Sequence, residues 1–436
     1  MKKISIHRKR GAPLGVFELI AIALGGMVGG GIFTILGISV SIVGVYTIFA
    51  ILVGGLLASL AAYSYVKLGL YFKDEGATYS FFKKVFKKSP FLISLIGWWV
   101  IFGYISTIAL YAFTFSSYAI SVFPSADSEW ARKGVAGCVI ATFAIVNILS
   151  VRGMGKIEDL MVYSKLVILV IISFVLVNYS NYSLPVLFHE HPNGVPFLSI
   201  LIVSSVTFVA YEGFQLVLNA VNEMDNPDRN IPLAIYSAIA IAIGIYFVIA
   251  LGALLTIPMD EIIEHKEAAL AAGAEKSLGH WGKELVIIGA LLATSSAISG
   301  TVFGASRQMA VIAEDGYFPG FISWRYNHIP RMAIIAMSIS AFILILSGEL
   351  RLILEYGSIT FLLVSLLMAC ANFKIRDKTE ASTYAAVLAI IGLFLGVVFI
   401  FYYEMKHHPE QLFHIITLYC MLSLCAWGFS RYRGKV

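Results

Sequence analysis

Apolar positions dominate this chain in long, evenly spaced blocks. Runs of roughly 20 residues recur along the whole length, each long enough to cross about 30 Å of hydrocarbon as a helix. Twelve are readable, near residues 14–41, 45–71, 91–123, 133–150, 158–178, 196–220, 231–257, 283–314, 331–347, 350–371, 381–403 and 410–430. They predict an all-α integral membrane protein of about twelve transmembrane helices, numbered here as spans 1 to 12. The polar links between them are too short to hold a soluble domain. Spans 3 and 8 are the longest, at about 32 residues each, which predicts that they lie tilted.

Two of the blocks are interrupted. In span 1, five of the seven residues from Gly25 to Gly31 are glycine, within the run GGMVGGGIF. Each costs about 0.8–1 kcal/mol of helix propensity relative to alanine. Unwound backbone at membrane depth is tolerated only where protein buries it or a wet cavity receives it. Span 6 carries AYEGF, with a carboxylate and a glycine in mid-span. A pair of interrupted spans is the mark of an inverted repeat, with the binding site between the breaks. A repeat of five helices matches span 1 with span 6 and span 3 with span 8. The expected division is a cytoplasmic N-terminus (1–13), a first repeat (14–180), a second repeat (181–371), and spans 11 and 12 with a cytoplasmic tail (372–436). The competing reading of the glycines is close helix packing.

Composition agrees with the pattern. The chain has 436 residues, 59% hydrophobic and 13% charged, against about 25% charged in soluble domains. The net charge of +5 is explained by its distribution, and no nucleic-acid partner is implied. With both termini in the cytoplasm, 23 Lys and Arg fall on cytoplasmic segments. Seven fall outside: Arg132, Lys133, Lys266, Lys276, Lys283, Arg351 and Lys406. This positive-inside bias sets a multi-pass orientation in the cytoplasmic (or bacterial inner) membrane. The one basic residue left over is Lys165, inside span 5. The basic start MKKISIHRKR resembles that of a signal peptide, but the apolar run after it is too long and lacks a small-residue cleavage site. Cys138, Cys370, Cys420 and Cys425 form no CxxC pair, so neither disulfide nor metal is expected. No catalytic constellation is visible, so the chain is not expected to be an enzyme and no cofactor is implied. The expected partners are a small-molecule substrate, a proton and membrane lipid. Lys83, Lys84, Lys87 and Lys88 read as a solvated face near anionic lipid. Oligomeric state is not legible.

The breaks have definite chemistry. A half-helix beginning near Gly29 offers free N–H groups and the positive end of a dipole, which suit a carboxylate. A half-helix ending near Gly26–Met27 offers free carbonyls, which suit an ammonium or sodium ion. An α-amino acid then fits with its carboxylate on Gly29, Gly30 and Gly31, and its amine on carbonyls near Met27 and Val209–Ala210. Tyr104, Ile108, Phe208, Tyr211 and Glu212 are placed to select its side chain. Lys165 costs roughly 2.5–3.5 kcal/mol at a helix centre, and a lysine depressed by burial is a proton carrier. The alternative, snorkelling to the surface, requires a reach of about 10 Å from seven residues inside the helix. Glu212 has three open roles: binding a cationic substrate, titrating, or pairing with another polar group. Glu18, near the start of span 1, fits a structural or gating role, and Glu158 and Asp159 suit the N-terminus of span 5.

The chain resembles the amino acid–polyamine–organocation (APC) superfamily of secondary transporters. LGGMVGGGIF in span 1, GATYSF after span 2, AYEGFQLVLNAVNEMDNPDRNIP from span 6 into span 7, and ATSSAISGTVFGASRQMAVIAEDGYFP in span 8 carry the resemblance. It is strongest to the prokaryotic, proton-coupled transporters of broad amino acid specificity. It implies a five-plus-five inverted repeat with alternating access and a lysine in place of a sodium ion. It also implies that Lys165 meets the Gly25 carbonyl and the hydroxyl of Ser295 or Ser296. The substrate backbone is placed on Met27, Val28, Gly29, Gly30, Gly31 and Ile32, and on Val209, Ala210, Tyr211, Glu212 and Phe214. Glu212 departs from the family, where an apolar residue is usual. The expected function is proton symport of amino acids, with an amino acid or amine exchanger as the alternative. A sodium symporter, a receptor and a channel fit less well.

Overall fold

The computed structural model describes residues 14–121, 128–149, 151–178, 188, 195–265, 268–326 and 329–433. The basic N-terminal stretch, Lys266, the proposed repeat boundary near residue 180, and the side chains of Glu158 and Asp159 lie outside the described residues. What is described is helical, apart from isolated bridges at Leu14–Met224 and Tyr326–Ile329.

Among the described residues, nine helices are long and apolar enough to cross a membrane, and a bent pair in span 6 makes ten. The twelve expected spans differ from this in two places. The stretch Gly31–Phe72 joins the second half of span 1 to span 2 through a single 3₁₀ turn at Gly44–Tyr46. Span 9, Arg331–Ser347, is a shorter helix of 17 residues. Span 1 is broken as expected, into Val16–Met27 and Gly31–Val43. Spans 2, 3 and 4 are Thr47–Phe72, Pro90–Ile120 and Glu129–Leu149. Span 5 begins at Val151, seven residues before the expected start, and ends at Asn178. Spans 7 and 8 are Pro227–Thr256 and His280–Glu314. Spans 10, 11 and 12 are Leu350–Lys374, Thr383–His407 and Pro409–Arg433. Proline opens spans 3, 7 and 12, where its missing N–H has no intrahelical partner to lose. Three short helices, Ala77–Val85, Met259–His265 and Ala269–Leu278, occupy links that read as loops in the sequence.

Packing follows a rule. Span 3 lies along span 8, span 2 along span 7, and span 4 along span 9. Span 5 packs on spans 7 and 8, and span 10 on spans 2 and 3. Exchanging each span for the one five positions on leaves this set of partners unchanged. Spans 11 and 12 stand outside it, against spans 2, 3, 6 and 10. The apolar window of span 10 is 78% buried and that of span 12 only 17%. The two broken helices rest chiefly on spans 7 and 2, with spans 8 and 10 beside the breaks.

Candidate functional site

The break in span 1 is three residues long. Val28 leaves the helix at ψ 69°, and the next helix starts at Gly31. No glycine in it needs a positive φ, so conformational freedom is not why these residues are glycine. Space is the reason. A Cβ on Gly29 would lie 2.7 Å from the Ala297 Cβ and 3.0 Å from the Tyr111 ring, and one on Gly30 2.9 Å from Thr114 Oγ1. One on Gly31 would lie 3.0 Å from the Ala210 Cα in the other break. The close-packing reading of the glycine run and the broken-helix reading are both correct.

Span 6 breaks earlier and over a longer stretch than its AYEGF motif implies. Its helix Phe197–Val206 gives way to a 3₁₀ turn at Phe208–Tyr211, an extended Glu212, and a short helix Leu216–Asn219. Span 10 supplies the reason. The Ser358 hydroxyl donates to the Val206 carbonyl at 2.5 Å and accepts from the Val209 N–H at 3.2 Å, satisfying main chain that a helix would otherwise pair. Gly213 sits at φ +130°, and a Cβ there would lie 2.5 Å from the Met27 nitrogen. The two breaks thus touch main chain to main chain.

Lys165 lies on the buried stripe of span 5 with Leu169, Ile172 and Leu176, while Tyr163, Val167, Val170 and Phe174 form the exposed face. Measured from Val151 it is about 21 Å along the helix at 1.5 Å per residue, and it is fully buried. Its ammonium points inward, so it does not snorkel. Nζ donates to the Gly25 carbonyl at 2.9 Å, the Val28 carbonyl at 2.7 Å and the Ser296 hydroxyl at 3.4 Å. Of the two serines expected, Ser296 makes the bond, and Ser295 is half-buried on the same helix.

The carbonyls expected to hold an amine are engaged in this conformation. Tyr246 Oη lies 2.7 Å from the Met27 carbonyl and 2.9 Å from that of Ala210, joining both breaks through one hydroxyl. Tyr111 donates to the Gly26 carbonyl at 3.2 Å. Tyr211, expected to face substrate, instead donates to the Ile51 carbonyl on span 2 at 2.7 Å. Tyr104, Ile108, Phe208 and Phe214 are all buried around the breaks, as is Ile32. Glu212 is 6% exposed. Its Oε1 has no hydrogen-bond partner among the described residues, and Tyr65, Tyr104 and Tyr111 lie within reach of its charge. Burying a carboxylate oxygen without a partner is costly, which makes the position a candidate functional one.

The family follows from comparison with known proteins. A family model described as amino acid permease matches residues 14–424. The chain belongs to the amino acid permease family. Among its relatives is the inner membrane transport protein YbaT of Escherichia coli, 27% identical over 410 residues, 93% of each chain. The branched-chain amino acid permease BcaP of Bacillus subtilis is 23% identical, covering 87% of this chain and 85% of its own. Cationic amino acid transporter 7, chloroplastic, of Arabidopsis thaliana is 26% identical, covering 84% and 66%. This permease is therefore a multi-pass membrane transporter of the APC superfamily, not an enzyme, and its family carries amino acids. Sequence reasoning missed Tyr246, Tyr111, Ser358 and Gln215, whose Oε1 accepts from the Gly213 N–H at 3.2 Å inside the break of span 6. Gln215 and Ser358 were detectable as polar residues inside apolar runs. The tyrosines were not, since a tyrosine in a membrane helix carries no mark of what its hydroxyl meets.

Proposed function

We propose that this permease is a proton-coupled amino acid symporter of the cytoplasmic membrane, working by alternating access with Lys165 as the proton carrier. The carrying observation is the set of Lys165 bonds to the Gly25 and Val28 carbonyls and the Ser296 hydroxyl. A protonated amine has three N–H donors and here meets three acceptors among the described residues. Losing the proton removes one donor, so the neutral amine keeps both carbonyls only if the Ser296 hydroxyl turns to donate to its lone pair. Those carbonyls belong to the break in span 1, so the proton's presence bears directly on the position of the half-helix Val16–Met27. The substrate carboxylate is placed on the first N–H groups of the half-helix starting at Gly31, which have no intrahelical acceptor. A fixed ammonium at this point disfavours sodium as the coupling ion. The exchange-symmetric packing supports residues 14–180 and 181–371 as the two repeats. The positive-inside bias supports termini in the cytoplasm.

The test is uptake of a panel of labelled amino acids into proteoliposomes, with and without an imposed pH gradient. Lys165→Ala abolishes gradient-driven accumulation, while exchange of substrate across the membrane persists. Concentrative uptake unchanged in that variant would sink the coupling role.

One observation favours a second reading. The unpaired Glu212 carboxylate among three tyrosines suits a cation, through charge and through cation–π contact with the rings. On this reading the substrate carries a positive side chain or is an amine, and transport is by exchange. Competition by arginine, lysine and alkylamines against leucine and alanine separates the two.

A further inference from the structure

A second buried ionic cluster lies far from Lys165, where span 10 begins and span 11 ends. Span 10 ends at Lys374, beside the Lys67–Glu380 contact of the opposite face, so Arg351 and Glu355 sit at its far end. Arg351 Nε donates to Glu355 Oε1 at 2.9 Å, and its Nη2 lies 3.6 Å from Glu404 Oε1. Both carboxylates are fully buried. Both face the same guanidinium, each through a different nitrogen. Glu355 Oε2 and both Glu404 oxygens have no donor among the described residues. Two ionised carboxylates are acceptors only, so this juxtaposition lacks a hydrogen. Two negative charges against one guanidinium also leave a net charge in the interior, and like charges this close do not both ionise.

We infer that Glu355 and Glu404 bind one proton between them, forming an Arg351-anchored acid–carboxylate pair that clamps span 11 onto span 10. The other titratable groups around it are Glu349 before span 10, Tyr356 on span 10, Tyr403 and His407 on span 11, His408 in the link, and Tyr419 on span 12. Among the described residues, Arg351 is the cation in contact with the two carboxylates. Burial first, then the charges of Arg351 and His407, hold His408 below its usual range, while the Tyr403 ring stacks on His407. The site shares no contact with Lys165 among the described residues, and it gives the end of the bundle where span 10 begins a proton of its own.

The experiment is infrared difference spectroscopy of the reconstituted full chain across a pH titration. Glu212→Gln serves as background, so that the buried Glu212 carboxyl does not contribute. The pair predicts one protonated-carboxyl carbonyl band that disappears in both Glu404→Gln and Glu355→Gln, because the surviving carboxylate then pairs with Arg351 alone. A band that persists in both variants overturns the inference. So does a band lost on adding sodium at constant pH, which would make the site a cation site. Thermal melting gives an independent readout. The folded state holds a proton that the unfolded chain releases above the ordinary carboxylate range, so stability falls as pH rises. Glu404→Gln removes that slope, and a slope identical to wild type counts against the pair.

Discussion

Lys165 and Glu212 are both buried charges at the helix breaks, and they differ in what surrounds them. Lys165 has an acceptor for each donor, two of them main-chain carbonyls of span 1. Glu212 has an oxygen with no partner. A satisfied charge is suited to switching between two bonded arrangements, and an unsatisfied one to waiting for a ligand. Glu212→Gln keeps the volume and removes the charge. If Glu212 meets a cationic substrate, the variant loses competition by arginine and lysine by roughly tenfold or more, as expected for about 1.5–3 kcal/mol in a charge-assisted bond. Competition by leucine and alanine stays the same. An unaltered preference order would leave Glu212 with a structural role. Both residues were legible in the sequence, because an ionisable residue inside an apolar run is conspicuous. What they touch was not, because the partners lie on other spans, at separations of up to 140 residues.

Among the elements, the broken helices show how local composition and tertiary contact divide the work. The glycine run located the break in span 1 to within two residues. In span 6 the motif lies inside the break but does not mark its start, because the helix ends where Ser358 of span 10 takes over its main-chain bonds. Glycine substitutions separate the two causes. Gly213→Ala would strain a φ of +130° and drive a Cβ to 2.5 Å from the Met27 nitrogen, which is backbone and cannot turn aside. Loss of transport is expected, with destabilisation of at least about 1–3 kcal/mol. Gly244→Ala on span 7 meets nothing within 4 Å. It is expected to keep full uptake and to gain about 0.5–1 kcal/mol from helix propensity. Thermal melting and uptake of the two variants side by side check both, and an active Gly213→Ala protein would show that the breaks need not touch.

For the whole molecule, main-chain bonds tie the two broken spans together on one face. The Leu14 N–H donates to the Glu223 carbonyl at 2.8 Å and the Asp225 N–H to the Leu14 carbonyl at 3.0 Å, tying the start of span 1 to the link after span 6. Nearby, the Asp315 carboxylate after span 8 accepts from Tyr79 at 2.7 Å and Lys83 at 2.5 Å, both on the short helix after span 2. The basic stretch Lys83–Lys88 is thus partly a latch, with Lys83 on Asp315 and Lys84 on Asp74, and not only a solvated face. Asp315→Asn removes a charge-assisted pair worth about 1.5–3 kcal/mol. It is expected to speed hydrogen exchange at the Leu14 and Asp225 amides by roughly tenfold or more, measured by mass spectrometry on the reconstituted protein. Breaking the exposed Lys73–Asp228 pair with Lys73→Met should change little, as exposed pairs contribute about 0–1 kcal/mol. Equal protection in wild type and Asp315→Asn would show that the latch does not hold these main-chain bonds.

The order of apolar and polar residues was enough to specify a membrane protein of about twelve spans with a broken first helix and an isolated buried lysine. These follow from local physics: hydrocarbon thickness sets span length, helix propensity punishes glycine, and a charge in an apolar run has few excuses. The contacts were beyond its reach. That Ser296 and not Ser295 meets Lys165, that Tyr246 joins the two breaks, that Tyr211 turns away to span 2, and that Glu355 faces Glu404 all depend on which helix faces pack together. Side chains meet there across separations of tens to hundreds of residues, and no local preference encodes such a meeting.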